Sequence, residues 1–284
     1  MQYLFLLFAI LVLTSQKMLM KQYEVKSGHP NTILFSAIAT LFAALFFFVL
    51  SGFQLELGVA SEVLPYAIGF AIAYVFSIIG ITLAIKEGPL STTTLINSYS
   101  LIIPTLYGAL ILKDSIGITA YIGVILLLFS LFFVNARKES VKLSAKWLFW
   151  VLVSFVGNGL CCTIQKMQQI AFEQTYGNEF MIVALGLAFL FQMAYLILCK
   201  KIRRSEWRDC FTYAPFLGVA NGATNWAVIV LTSLLPNTIL FPSLSAGEML
   251  LLFFASIFVY KEKMSKMQML GYGMGVISII LLNL

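Results

Sequence analysis

One acidic residue, Glu248, lies in the middle of an otherwise apolar stretch of the chain. Pro236 and Lys261 bound the stretch, so Glu248 would lie about 18 Å from either end of a helix. A charge at that depth of a membrane is costly, and such residues usually face a wet cavity. We expect Glu248 to bind a substrate or a coupling proton. The structural alternative is a protonated carboxyl that makes one hydrogen bond.

Amide and aromatic side chains lie at similar depth in other apolar runs. They are Asn97, Tyr99, Asn158, Asn221, Asn225 and Trp226. A spacing of four places Asn221 and Asn225 on one helix face. Amides at membrane depth either contact a ligand or form interhelical hydrogen bonds. Trp226 and Tyr99 either provide an aromatic wall for an organic cation or pack in the core.

A Gln-Lys pair near the end of the first apolar run recurs 149 positions later. It occurs as Gln16-Lys17 in T-S-Q-K-M and as Gln165-Lys166 in T-I-Q-K-M. Lys17 lies roughly 7–8 Å past the middle of its run. From there it can extend to the membrane surface, or act as a gate or as a counter-ion to Glu248. We expect the glutamines to be equivalent residues at the mouths of a cavity.

The composition places these residues in a membrane protein. Of 284 residues, 61% are hydrophobic and 11% are charged, whereas soluble domains carry about 25% charged residues. Ten runs reach the length of about 20 residues that a membrane-crossing helix needs. They are 2–21, 31–52, 64–86, 89–112, 116–136, 146–170, 179–199, 212–234, 237–260 and 265–284. Their connectors are short, so we expect no soluble domain.

The runs divide into two similar halves, residues 1–138 and 139–284. Gly69 and Gly218 are 149 positions apart, each after a proline (Pro65 and Pro215) that is expected to start a helix. The tails match at a shift of 148, which pairs Gly123 with Gly271 and Ser130 with Ser278. Because five spans is an odd number, the second half must insert with the opposite orientation. We therefore predict an all-α integral membrane protein with ten transmembrane helices in a 5+5 inverted repeat.

With ten spans and this duplication, the ends of the two halves resemble the drug/metabolite transporter superfamily, EamA type. These ends read ILKDSIGITAYIGVILLLFSLFFVN and FVYKEKMSKMQMLGYGMGVISIILLNL. The family's usual Gly-Glu-Pro loop is replaced here by Lys-Asp-Ser and Lys-Glu-Lys. The resemblance covers essentially the whole chain. It implies a central cavity lined by helices one, three, four, six, eight and nine, with the last helix of each half at the periphery.

These features together predict a secondary active transporter of a small polar metabolite or organic cation. It would work by alternating access and be proton-coupled, with Glu248 carrying the proton or neutralising the substrate's charge. The partners expected are this solute, a proton or other coupling ion, and the lipid bilayer. No cofactor is expected, because the cysteines lack metal-site spacing and no G-x-x-x-x-G-K-[ST] loop occurs.

Other functions remain open. A lipid-linked sugar flippase is the alternative within the same fold. An intramembrane enzyme is disfavoured because the spans contain no His, no internal Asp and one central Glu. A channel or non-transporting scaffold fits the duplication less well. Gly271-x-x-x-Gly275 permits either a homodimer through the tenth helix or close packing within the chain.

The positive charges indicate how the chain is oriented. Sixteen of the 18 Lys and Arg residues lie in, or lean toward, the connectors after the odd-numbered runs. Short loops rich in Lys and Arg favour the cytoplasm. We therefore predict a multi-pass protein of the cell membrane (plasma or inner), with basic loops cytoplasmic and both termini outside. The net charge of +6 then reflects topology, and no nucleic-acid partner is expected.

Cysteine labelling tests this orientation. In a chain whose four native cysteines are replaced, a cysteine introduced at Ser205 lies in the basic connector after the seventh run. We expect an impermeant thiol reagent to leave it unmodified in intact cells and to modify it after permeabilisation. Ready modification in intact cells would reverse the assigned orientation.

Overall fold

Long apolar runs can satisfy their backbone hydrogen bonds inside a membrane only by forming helices or closed barrels. The computed structural model of the chain shows helices in every run that it describes. The described residues are 2–27, 31–87, 93, 96–97, 99–113, 117–135, 144–199, 204–258 and 266–282. Pro89, Asp114 and the Lys261-Glu262-Lys263 connector lie outside them. So do most of the predicted basic loops.

Ten α-helices with described bounds and one 3₁₀ turn run through this described part of the chain, and no strand occurs in it. The helices are α1 (Gln2–Lys26), α2 (Thr32–Leu50), α3 (Leu57–Glu87), α4 (Ile102–Leu110), α5 (Ile118–Asn135), α6 (Ala145–Ala171), α7 (Gly177–Cys199), α8 (Arg204–Leu234), α9 (Asn237–Phe258) and α10 (Lys266–Leu282). The 3₁₀ turn is Tyr99–Leu101. Polar caps begin two of the helices. Asn31 accepts the Leu34 N–H before α2, and Ser144 accepts the Trp147 N–H before α6.

Six of these helices, α1, α2, α3, α6, α7 and α8, are long and apolar enough to cross a membrane. Their outward faces are lined with large apolar side chains, as lipid contact requires. The coarse prediction of an all-α, multi-pass membrane protein is confirmed. The finer prediction of ten membrane-crossing helices in an inverted repeat stays a prediction.

Two of the prolines that lie inside helices were predicted from the sequence to start them. Pro65 is within α3 and Pro215 is within α8, and both helices have 31 residues. Proline costs a helix one backbone hydrogen bond, but membrane bundles tolerate it because neighbouring groups satisfy the freed carbonyl. The two helices therefore begin several residues before their apolar runs.

The fourth predicted run is not one regular helix in its described part. Residues 93 and 96–97 are helical, a 3₁₀ turn follows at Tyr99–Leu101, and α4 ends at Leu110. Pro104 lies in the first turn of α4, where a missing N–H costs little. Interrupted helices of this kind are common beside the binding sites of transporters.

Most of the major helix contacts join the first half of the chain to the second, whereas the contact of α9 with α10 lies within the second half. The pairs between the halves are α3 with α6 and α7, α2 with α7 and α8, α1 with α8 and α9, α4 with α6 and α9, and α5 with α10. Equivalent helices of the two halves are five numbers apart in the chain, such as α1 and α6. Most of these pairs have an equivalent pair in the set: α3 with α6, for example, corresponds to α8 with α1. Neither half therefore has a separate core.

Helices α5 and α10 exchange a reciprocal pair of hydrogen bonds. The Ser130 hydroxyl donates to the Gly271 carbonyl at 2.6 Å, and the Ser278 hydroxyl donates to the Gly123 carbonyl at 2.7 Å. The sequence repeat pairs these same serines and glycines. Their cross-pairing means that the two helices run antiparallel. Gly271, Gly275 and Ser278 share one buried face of α10, so α5 covers the glycine pair within the chain.

Helices α3 and α6 approach closely at two glycines. A Cβ atom on Gly157 would lie 2.7 Å from the Ala73 carbonyl oxygen, and one on Gly80 would lie 2.7 Å from the Ser154 nitrogen. Both neighbours are backbone atoms, which cannot rotate away. Small residues at such crossings permit close helix packing in membranes.

We predict that Gly157→Ala lowers the free energy of unfolding by about 1–3 kcal/mol, because the added methyl overpacks the crossing. Gly273→Ala is the matched control, since no heavy atom lies within 4 Å of a Cβ built there. Both changes gain the same helix propensity. The measurement is thermal unfolding of the purified proteins in one detergent. Equal melting temperatures for the two variants would contradict the close crossing.

Candidate functional site

Helix α8 carries polar side chains on one face near its middle. Asn221, Thr224 and Asn225 are spaced by three and four residues, which places them together. The candidate membrane span of α8 is Glu206–Leu234, and Asn221 follows its midpoint by one residue. The sequence prediction that Asn221 and Asn225 share a face at mid-membrane depth is consistent with this helix.

Gln16 of α1 joins this face with both ends of its amide. Its Nε2 donates to the Thr224 hydroxyl at 2.6 Å, and its Oε1 accepts from Asn221 Nδ2 at 3.2 Å. Gln16 is buried, whereas Asn221 is half-buried. A buried amide must find such partners because desolvation otherwise penalises it. The amide therefore links a helix of the first half to a helix of the second.

The bonds continue from Asn221 to a third helix. Asn225 Nδ2 donates to the Asn221 side-chain oxygen at 3.1 Å and to its carbonyl at 2.9 Å. Gln165 of α6 donates from Nε2 to the Asn225 carbonyl at 3.3 Å. We call the set Gln16, Gln165, Asn221, Thr224 and Asn225 the amide network. Its glutamines are buried and its asparagines half-buried, so the asparagines are the members available to a solute.

Trp226 follows the amide network on α8 and packs against α1. Its ring centroid lies 5.7 Å from that of Phe5 and 6.5 Å from that of Phe8. These contacts, with the network, show that α1 and α8 run antiparallel, since Phe5 pairs with Trp226 and Gln16 with Asn221. The indole is half-buried and belongs to an aromatic cluster beside the amides.

Glu248 lies on the face of α9 that packs against α1 and α8. Phe241, Leu244 and Leu251 share that face by helical spacing, and they pack with side chains of both helices. The neighbouring Gly247 is so close to α1 that a Cβ there would meet Ile10 at 2.4 Å. One carboxylate oxygen of Glu248 is shielded from solvent, and the residue as a whole is half-buried. Glu248 therefore points into the bundle.

Glu248 and the amide network lie beside neighbouring parts of helix α1. Ile10, beside Gly247, precedes Gln16 by six residues, or about 9 Å along the helix. The carboxylate and the network thus flank the same stretch of α1. Lys17 continues α1 directly after Gln16, but its side chain lies outside the described part of the chain.

Asn97, Tyr99 and Asn158 belong to a second polar group, which shares no described hydrogen bond with the amide network. Asn158 Nδ2 donates to the Ser100 hydroxyl at 2.6 Å, and the Ser154 hydroxyl donates to Asn97 Oδ1 at 2.7 Å. The Tyr99 hydroxyl donates to the carbonyl of Leu128 in α5 at 3.1 Å. These bonds attach the interrupted fourth run to α6 and α5. They match the interhelical role left open by the sequence.

Thr224 and Gln168, which sequence reasoning passed over, and Lys166, which it named only as part of the repeat, also have defined partners. Thr224 belongs to the amide network, and its spacing of three from Asn221 could have revealed it. Lys166 donates to the Thr232 carbonyl in the last turn of α8, where cations are favoured. Gln168 is buried and donates to the Thr175 carbonyl at 3.1 Å, which closes the turn between α6 and α7. Nothing in the sequence marked the last two partners.

Among the described residues, no group of three or more His, Cys, Asp or Glu side chains is arranged to hold a metal ion. Cys161 and Cys162 lie in α6 and are free thiols. Cys161 packs in the core against α3 and α7, as expected of an apolar packing residue.

Comparison with known proteins identifies a similar fold but no family. No protein-family model matches the chain, and no curated protein matches it. A solved structure described only as "Crystal structure of protein" is similar over 100% of this chain and 98% of its own length, with a TM-score of 0.75 and 12% identity. At that identity the likeness shows the fold alone.

A double-mutant cycle tests the amide network. We expect Gln16→Leu and Asn221→Ala each to destabilise the protein, and their effects to be coupled by about 0.6 kcal/mol or more, as found for hydrogen bonds in membrane bundles. The measurement is reversible unfolding in mixed micelles.

The control cycle pairs Gln16→Leu with Asn158→Ala, which share no described hydrogen bond. Those effects should add within about 0.5 kcal/mol. Additive effects in the Gln16–Asn221 cycle as well would mean that the network contributes no interaction of its own.

Proposed function

We propose that the chain is a secondary active transporter of a small polar metabolite or organic cation, working by alternating access. The observation that carries the proposal is the amide network. Its members come from both halves of the chain and lie at the middle of the candidate span of α8. The half-buried asparagines offer donors and acceptors to a polar solute at the depth where such carriers bind.

The contacts between halves support the inverted repeat in this proposal. The antiparallel pairing of α5 and α10, whose residues the sequence repeat aligns, is what inverted halves would produce. In alternating access one half rocks against the other around a fixed site. The interface at which that movement takes place would then include Gln16 of the first half and Asn221 and Gln165 of the second.

Glu248 is the proposed coupling group. It faces α1 and α8 from α9, beside the stretch of α1 that ends at Gln16. A carboxylate there can hold a proton or pair with a cationic solute, and competition between the two would couple their movements. We further propose that the chain is a drug/metabolite transporter of EamA type in the cell membrane, with basic loops cytoplasmic and a proton gradient as the energy source.

Ligand binding tests the proposal directly. Purified protein is melted in the presence of amines, amino acids and nucleosides, because a ligand of the folded state raises the melting temperature. Any solute that does so is then added to vesicles that contain the protein and a pH-sensitive dye. Solute-driven proton movement supports the proposal. A panel without a single stabilising solute contradicts it and favours the flippase or scaffold alternatives.

We predict that Glu248→Gln folds and inserts but abolishes solute-driven proton movement, because glutamine keeps the size and polarity of the side chain and cannot ionise. Glu62→Gln is the matched control, since Glu62 is exposed near the start of α3. The measurement is dye fluorescence in vesicles at mildly acidic and mildly alkaline pH. Normal coupling in Glu248→Gln at every pH would make the residue structural.

A further inference from the structure

A cleft of about 900 Å³, lined by both charged and aromatic side chains, opens at the end of the bundle where α1 ends and α8 begins. Its lining consists of Lys26, Ser27, Trp207, Arg208, Asp209, Phe211, Thr212 and Tyr213. The candidate membrane spans of the adjoining helices end at Met20, begin at Thr32 and begin at Glu206. The cleft therefore lies at the boundary of the membrane, well away from the amide network.

The cleft carries charges of both signs. Lys26 and Arg208 are exposed cations, and Asp209 is a half-buried carboxylate that accepts a hydrogen bond from the Ser27 hydroxyl at 3.1 Å. A carboxylate accepts several hydrogen bonds, so Asp209 retains capacity for another donor. Arginine and lysine are the usual partners of phosphate. A ligand with a phosphate and a nearby ammonium would match this lining.

Behind the lining lies a cluster of hydrogen bonds and ring contacts centred on Tyr23, whose ring centroid is 6.4 Å from that of Tyr213 in the cleft wall. The Tyr23 hydroxyl accepts the Asn31 N–H at 3.0 Å, and its ring stacks on Phe35 with centroids 3.9 Å apart. Burial raises the pKa of the Tyr23 phenol above its usual range, so the hydroxyl stays protonated. Asn31 also donates to Glu206 at 2.8 Å, which joins the start of α2 to the start of α8. These contacts join α1, α2 and α8 directly behind the cleft.

Aromatic rings form one wall. Trp207 and Phe211 stack with centroids 5.9 Å apart, and Phe211 is 51% exposed. Amphipathic aromatic rings concentrate where lipid headgroups meet acyl chains. An exposed phenyl ring at this boundary favours a ligand that brings an apolar tail over a water-soluble one.

We propose that this cleft binds the headgroup of a phospholipid with a primary amine, of the phosphatidylethanolamine class. Lys26 and Arg208 bind the phosphate, Asp209 accepts from the ammonium, and the Trp207–Phe211 wall contacts the glycerol and upper acyl chain. A choline headgroup lacks the N–H donors that Asp209 requires. A purely anionic headgroup would place no positive charge beside that carboxylate.

Native mass spectrometry of the purified full chain tests the proposal. The protein is offered equal amounts of phosphatidylethanolamine, phosphatidylcholine and phosphatidylglycerol with the same acyl chains. We expect preferential retention of phosphatidylethanolamine. Asp209→Asn should reduce its preference over phosphatidylcholine by roughly threefold, within the range of partly exposed ion pairs. Lys26→Gln/Arg208→Gln should reduce retention of all three lipids by roughly thirtyfold.

Two control variants each remove one charge, a carboxylate or a cation, at a site outside the cleft. Glu56→Gln changes an exposed carboxylate beyond the far end of α2, and Lys266→Gln changes an exposed cation at the start of α10. Both should leave retention unchanged. Helical content and elution volume verify folding, and the single variants Lys26→Gln and Arg208→Gln serve if the double variant does not fold.

Three results would overturn the proposal. One is equal retention of the three lipids by the unaltered protein. Another is an unchanged preference in Asp209→Asn. The third is displacement of bound lipid by soluble phosphoethanolamine at equal concentration, which would assign the cleft to a water-soluble ligand.

Discussion

Polar side chains buried in a membrane bundle have little water to bind, so hydrogen bonds to other residues of the protein stabilise them. Two groups of such hydrogen bonds join helices of the bundle. The residues of the amide network form hydrogen bonds with one another across three helices. Asn97, Ser100, Ser154 and Asn158 do the same where the fourth run is interrupted. The bundle is held together by these few polar contacts as well as by close packing.

Close packing is what allows the polar contacts to form between halves. Gly80 and Gly157 bring α3 against α6, and Gly247 brings α9 against Ile10 of α1. A short polar side chain reaches a partner helix only across such a short distance. Because the contacts pair one half with the other, a relative movement of the halves must change the amide network. The amide network is therefore both a structural contact between the halves and a part of the proposed site.

Much of the fold was predictable from the sequence, and part of the site was. Apolar runs located the helices, and spacing by four placed Asn221 and Asn225 on one face. The repeat paired Ser130 with Ser278, which proved to make reciprocal bonds with the repeat-paired glycines. The hydrogen-bond partners of individual side chains were not predictable. Gln16 donates to Thr224, and Lys166 to the Thr232 carbonyl, only because helix packing brings these residues together. The prediction that Pro65 and Pro215 start helices was wrong, because the interiors of helices in membrane bundles tolerate proline.

The central claim is that one site between the halves opens alternately to the two sides. The most direct measurement uses Asn225→Cys in a chain without other cysteines, reconstituted with known orientation. An impermeant thiol reagent is applied from one side or the other, with the proton gradient set in each direction. The account predicts that reversing the gradient raises the modification rate from one side and lowers it from the other. Rates that do not depend on the gradient would contradict it.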